Sequence, residues 1–244
     1  MNINNQKIIA LIHALEESEE PIKKSFKKIW PNVTLNQYAD FELSKDRARG
    51  LDEDIIRQRI VNLGMSAIED GVDAILYTCS AFGDAINAAK EHINVPVFRP
   101  NESAFDEAII KEKTVHILVT FIPSLELLVN EFKTMSKGLN IDVNGYLVEG
   151  ALNDLKNDQV NLHNKKIMQA IETIPENDTV ILGQFSMARA SDLIAKEMPN
   201  RVVLNTPDAS VLRLRDTIAP ISFRFGNVLI LLLPLCLVIL EQKF

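Results

Sequence analysis

An apolar segment, a helical stretch and a second apolar segment recur in the two halves of this chain at a nearly constant offset. Asp73-Ala-Ile-Leu-Tyr-Thr-Cys79 stands over Asp178-Thr-Val-Ile-Leu-Gly-Gln184, 105 residues further on. Ala89-Lys90-Glu91 matches Ala195-Lys196-Glu197 at 106, and Lys7–Ile12 matches Thr114–Val119 at 107, as Pro100 does Pro207. Any two βαβ units share a general pattern. An offset that drifts by so little over four segments points instead to two pseudo-equivalent units.

Within each unit the apolar rhythm alternates between strand and helix. In the first, KIIALI (Lys7–Ile12) precedes Ser18–Ile29, where Ile22, Phe26 and Ile29 fall at helical spacing. A helical stretch over Ile55–Glu69, the strand DAILY (Asp73–Tyr77), a helix through Ala85–Glu91 and a strand at Val95–Phe98 follow. The second unit offers strands at Val115–Val119, Ile141–Leu147, Thr179–Leu182 and Arg201–Leu204, with helices over Leu125–Met135, Leu162–Ile174 and Ala190–Lys196. Such alternation predicts an α/β fold: two similar parallel-sheet α/β subdomains related by an internal pseudo-repeat, with an active-site cleft between them. The expected units are 1–112, 113–218 and an atypical apolar tail at 219–244. Ligands of open α/β sheets bind beyond the C-terminal ends of the strands. The cleft should therefore gather His13, Thr78-Cys79-Ser80, Thr120-Phe121 and Gln184-Phe185-Ser186.

Composition and missing motifs narrow the chemistry. The 244 residues carry 26 Lys+Arg against 33 Asp+Glu, a net charge of −7 with no basic block, which argues against a nucleic-acid partner. None of the nine glycines forms a GxG, so dinucleotide fingerprints and the P-loop are missing, as are GxSxG and HExxH. The four histidines are widely separated, and Asp52-Glu53-Asp54 reads as favourable charge at a helix start. No metal site and no cofactor are expected. The N-terminus lacks a basic region followed by a sustained apolar run, so no secretory export is indicated, the sequons at Asn32, Asn101 and Asn177 are chance matches, and a cytoplasmic location is expected. There a cysteine is free, metal-bound or catalytic.

Cys79 follows a strand and precedes a helix, whose N-terminal dipole and free N–H groups favour a thiolate. It serves equally as a small buried hydrophobe. Thr78, Ser80, Thr120 and Ser186 are post-strand hydroxyls suited to holding a carboxylate, and helix caps use the same residue types. His13 ends the first strand at the expected cleft edge. His163, at a helix start, reads as a surface or capping residue, His116 as a core residue and His92 as a helix-end cation. Arg99 and Arg189 are left without a catalytic role.

Ile75-Leu-Tyr-Thr-Cys-Ser80, with Ile181-Leu-Gly-Gln-Phe-Ser-Met187 at the equivalent place, resembles the aspartate/glutamate racemase superfamily, which includes hydantoin racemases, maleate isomerases and arylmalonate decarboxylases. Pro96–Glu102 and Thr120–Leu125 extend the resemblance, which runs to about Ile218. It implies a cofactor-independent enzyme acting on a small carboxylic acid such as an amino acid or a dicarboxylate. In the racemases each half supplies one cysteine, on opposite faces of an acidic carbon. One thiolate removes the proton and the other thiol returns one. Here the first position is Cys79, proposed as the catalytic residue, but the second is Gln184, an amide that only orients groups or hydrogen-bonds. Gln184, His13, Thr78, Ser80, Thr120 and Ser186 are then substrate-binding candidates. Three readings stay open: one cysteine suffices for isomerase- or decarboxylase-type chemistry, His13 or His163 supplies the missing base, or the cleft is a non-enzymatic carboxylate-binding site. A homodimer is usual for such proteins; the apolar positions of Ala85–Ala89 suit an interface or, equally, the core.

The tail departs from this pattern. Val228–Leu240 is apolar throughout, yet shorter than the ~20 residues of a spanning helix and broken by Pro234. A buried element packing back on the first unit or a subunit contact, a membrane anchor, and a reading-frame change near Pro220 each account for it. Cys236 belongs to this segment, so the repeated fold has one working cysteine.

Overall fold

The computed structural model describes residues 6–111, 114–225, 228–233 and 236–241. Its first half runs β1 (Ile8–His13), α1 (Glu19–Ile29), β2 (Thr34–Ala39), α2 (Leu43–Ala48), α3 (Glu53–Glu69), β3 (Ala74–Tyr77), α4 (Gly83–His92), β4 (Val97–Phe98) and α5 (Glu102–Lys111). The second runs β5 (Thr114–Val119), α6 (Pro123–Met135), β6 (Asp142–Leu147), α7 (Ala151–Lys156), α8 (Val160–Glu172), β7 (Thr179–Leu182), α9 (Ser191–Glu197), β8 (Val203–Asn205) and α10 (Thr206–Ile218). Each half forms a four-stranded parallel sheet, ordered β2-β1-β3-β4 and β6-β5-β7-β8. The register repeats as well, with the first strands offset by 106 rather than the 107 read from the sequence: Ile9 pairs with Ala74 where Val115 pairs with Thr179. The fold class expected from the sequence is the one observed.

The central strands explain why the sheets are covered on both faces. Every residue of β3 (AILY) and β7 (TVIL) is buried, as only strands between two helix layers can be. The edge strand β2 (TLNQYA) has no buried residue and no apolar run, so hydropathy alone does not reveal it. In α1, Ile22 and Phe26 face the first sheet while Lys27 and Lys28 sit in the last turn, on the favourable side of the dipole. In α3, Asp52 caps the helix by accepting from the Asp54 N–H at 2.8 Å, as expected for that acidic run.

The two halves exchange their last helices. Ala104, Phe105 and Ala108 of α5 pack with Val115, Ile117 and Val119 on the second sheet. Reciprocally, Val211 and Leu214 of α10 pack with Ile9, Leu11, Ile22 and Phe26 on the first. Polar contacts fix this crossing, with Ser25 donating to Asp208 at 2.5 Å and Lys28 pairing with it at 2.8 Å. The division between 112 and 113 falls outside the described residues. Ala85, Ile86 and Ala89 lie in the first core rather than on the surface, so core packing accounts for them.

Beyond α10 the chain forms an antiparallel three-stranded sheet, β9 (Ile221–Phe225), β10 (Val228–Leu233) and β11 (Cys236–Glu241), ordered β11-β10-β9. Pro234 lies outside the described residues. Among the described residues, no helix is long and apolar enough to cross a membrane.

Candidate active site

Cys79 leaves β3 in an extended conformation and caps a short 3-10 turn, Ser80–Phe82; α4 begins only at Gly83. The thiol is thus separated from the start of that helix, and it is 7% exposed. Burial dominates its ionisation, pushing the pKa from 9.0 up to about 11. Hydrogen bonds from the Ala81 N–H and the Ser44 hydroxyl, and the Arg47 charge, pull in the opposite direction; the Glu17 carboxylate adds to the rise. Helix-start reasoning favours a thiolate, but Cys79 is set apart from that helix and its burial favours the neutral thiol.

Arg47, on α2, braces the turn. It donates from Nη1 to the Ala81 carbonyl, pairs through Nε with Glu53 at 2.9 Å and lies 5.4 Å from the Phe82 ring centroid.

Behind Cys79 runs a buried polar chain. His13 is 0% exposed and off the wall of the cavity that Cys79 and Gln184 line, not at its edge. Its Nε2 donates to Gln37 Oε1 at 2.9 Å, leaving Nδ1 to accept from the Thr78 hydroxyl at 2.8 Å. Burial lowers the pKa of this ring, with the Gln37 hydrogen bond working against it, so the ring is neutral at pH 7. Ser18 stands 2.9 Å from Thr78 Oγ1 and 3.2 Å from His13 Nδ1. His13 therefore positions Thr78, while Thr78 and Ser18 reach the cavity.

The second half presents Gln184 at the equivalent strand end. Its Oε1 accepts from both the N–H and the hydroxyl of Thr120, at 2.7 and 2.8 Å. The carbonyl of the amide is thereby committed, and Thr120 acts from behind Gln184 rather than on the cavity wall. Gly183, which precedes it, donates to the Leu118 carbonyl at 2.9 Å; a Cβ there would lie 2.9 Å from that oxygen. The close approach explains why no hydroxyl stands where the first half has Thr78. His163, 0% exposed, hydrogen-bonds through Nδ1 to the Ala151 carbonyl at 2.8 Å and also lies off the cavity wall. Burial lowers its pKa. The surface or capping position expected for it is not the one it takes.

Between the halves lies a cavity of about 460 Å³ that brings together Cys79, Thr78, Ser80, Gln184 and Ser186. A larger cavity, of about 580 Å³, shares Ser80 and Ala81 with it but contains neither Cys79 nor Gln184. Arg189 pins the shared walls by donating to the Glu17 carbonyl at 2.6 Å, across the two halves. Ser18, Glu17, Ser44, Arg47 and Lys156 escape a sequence reading because they come from turns and short helices that fold over the strand ends; no spacing marks them. Among the described residues, no group of three or more His, Cys, Asp or Glu side chains is arranged to hold a metal ion.

A family model described as Asp/Glu/Hydantoin racemase matches residues 41–213. Among solved structures, an aspartate racemase homologue from Pyrococcus horikoshii OT3 is similar with a TM-score of 0.68 at 14% identity, over 88% of this chain and 100% of that one. A glutamate racemase from Bacillus anthracis gives 0.63 at 15%, over 87% and 81%. A mutant arylmalonate decarboxylase in its sulfate-associated form gives 0.59 at 12%, over 87% and 95%. At these identities the likeness is one of fold. No curated protein matches the sequence.

Proposed function

The chain belongs to the Asp/Glu/Hydantoin racemase family, and on that premise we propose that it is a cofactor-independent enzyme moving a proton at the carbon next to the carboxylate of a small acid, with Cys79 as its only proton-transferring thiol. One observation supports the reading: Cys79 and Gln184 occupy equivalent strand ends and line one cavity, so a bound acid would meet a thiol from one half and an amide from the other. A buried thiol that is neutral at pH 7 is suited to donate a proton, and a nucleophilic or basic role would first require its ionisation. Cys79 would deliver its proton to one face of an enediolate formed by loss of the α-proton to solvent, and the thiolate left behind would regain a proton from water. Hydroxyls of Ser80 and Ser186 would hold the carboxylate as charge builds on it, the proton of Thr78 being committed to His13. Gln184, its carbonyl held by Thr120, would present its NH2 group to the opposite face. The buried positions of His13 and His163 weigh against either as the second base.

Incubation of candidate acids in D2O, followed by NMR, tests this. Wild-type protein should exchange or install deuterium at the α-carbon, and Cys79→Ala should slow the reaction by about 10²–10⁴-fold. Undiminished exchange in Cys79→Ala would remove the thiol from the mechanism. Tight binding of an acid with no exchange would leave a carboxylate-binding protein on the same scaffold.

A further inference from the structure

The cavity that holds Cys79 is not polar throughout. Leu15 and Phe41 from the first half, and Phe121 and Leu152 from the second, also line it, and none of the four is buried. Phe121 is 36% exposed, unusual for a phenylalanine set beside a strand end. Four large apolar side chains converging from both halves on one cavity present hydrocarbon surface suited to an apolar part of a ligand.

Charge around the same space tells against a second acidic group. The lining carries two carboxylates, Glu16 and Glu17, and two ammonium groups, Lys45 and Lys156. Lys45 is held by Glu42 at 2.6 Å, which leaves Lys156 as the cation available to a bound anion. One carboxylate would be met by Lys156 or by the hydroxyls beside Cys79. A second would face hydrocarbon or the two glutamates, and a charge left unpaired there is costly. A volume of about 460 Å³ equals that of roughly fifteen waters at ~30 Å³ each, more space than a four- or five-carbon acid fills.

We propose that the acid bound here is a monocarboxylate bearing a bulky apolar substituent, aryl or branched alkyl, packed against Leu15, Phe41, Phe121 and Leu152, and not an aspartate- or glutamate-like dicarboxylate. This rests on the reading of the cavity as the active site, but not on turnover.

Titration calorimetry of the full chain carrying Cys79→Ser, which binds without proton transfer, gives the test. The probes are acetate, 3-methylbutanoate, phenylacetate, L-aspartate and L-glutamate. Affinity should climb by about fourfold for each methylene-sized group that reaches the apolar wall, placing phenylacetate at least tenfold above acetate and above both dicarboxylates. Leu152→Ser and Phe121→Ser, each confirmed as folded by its circular dichroism, should cut phenylacetate affinity several-fold and leave acetate unchanged. Equal or tighter binding of aspartate or glutamate, a flat series, or no binding of any probe would overturn the proposal. Failure here is separable from failure of the proposed reaction. Preference for phenylacetate without deuterium exchange would sink the reaction alone, and Cys79-dependent exchange on a dicarboxylate would sink this inference alone.

Discussion

At the scale of single residues, the ionisation of Cys79 decides which way protons can move. With its pKa pushed up to about 11, the thiol keeps its proton throughout the neutral range. Alkylation by iodoacetamide, which needs the thiolate, should therefore rise about tenfold per pH unit from pH 7 to 10. Mass spectrometry of the Cys79 peptide reads this directly, and a plateau below pH 9 would show a stabilised thiolate instead. The same shift has a consequence for stability. The folded protein retains a proton that the unfolded chain releases near pH 9, so unfolding gains from every increment of pH between 9 and about 11 and stability should fall across that window. Cys79 was legible in the sequence because a strand ending in a polar triplet places its last side chains at the sheet's ligand-binding edge. Its protonation state was not. That depends on the turn at Ser80–Phe82 and on α2 lying over the sulfur, and on Glu17 reaching it from the loop after β1. His13 illustrates the same limit: the sequence locates it at a strand end, but only the turn at Glu16–Ser18, folding back to put Ser18 against Thr78, shows that it is sealed from the cavity.

At the scale of elements, the three-residue 3-10 turn that follows Cys79 is held by a neighbour. Arg47 reaches it from α2 through the Ala81 carbonyl and the Phe82 ring, and its charge favours the thiolate. Arg47→Met keeps most of the apolar stem and removes the charge and the hydrogen bonds. Since Arg47 is itself partly exposed and its partner Glu53 more so, the fold should survive the change. At pH 9 the substitution should slow Cys79 alkylation several-fold, and Arg47→Lys should recover part of the loss by restoring the charge. Faster alkylation in Arg47→Met would mean that the turn opens, making its hold on the backbone the larger effect. The long elements here were readable from apolar period alone: the helices expected over Ile55–Glu69 and Leu125–Met135 agree with α3 and α6 to within two residues. Elements without a dense apolar signature were not, as β2 and the six-residue α2 and α7 show, and two of these three supply cavity walls.

At the scale of the whole molecule, the pseudo-repeat does more than place two strand ends opposite each other. Because α5 completes the core of the second sheet and α10 that of the first, neither half of the sequence contains all the apolar surface that its own sheet must bury. Parting α10 from the first sheet would uncover the fully buried side chains Val211 and Leu214 and the faces of Ile22 and Phe26 beneath them. At ~1.5–3 kcal/mol for each fully buried side chain, that loss rivals the 5–15 kcal/mol that keeps a typical domain folded. Fragments 1–112 and 113–218 expressed separately should accordingly lack a cooperative unfolding transition in urea, followed by circular dichroism. The full chain should unfold its two sheets together, and Leu214→Ala and Phe105→Ala, on opposite sides of the exchange, should each lower that one midpoint, by ~2–5 kcal/mol. A sigmoidal transition in either fragment, or two transitions in the full chain with each variant shifting only one, would show the halves to be independent. The coupling bears on catalysis. Exchanged helices, together with Arg189 on the Glu17 carbonyl, fix the distance between the wall that carries Cys79 and the wall that carries Gln184. A cavity braced in this way is set for its ligand before the ligand arrives, so that binding does not first have to order the groups that would deliver the proton.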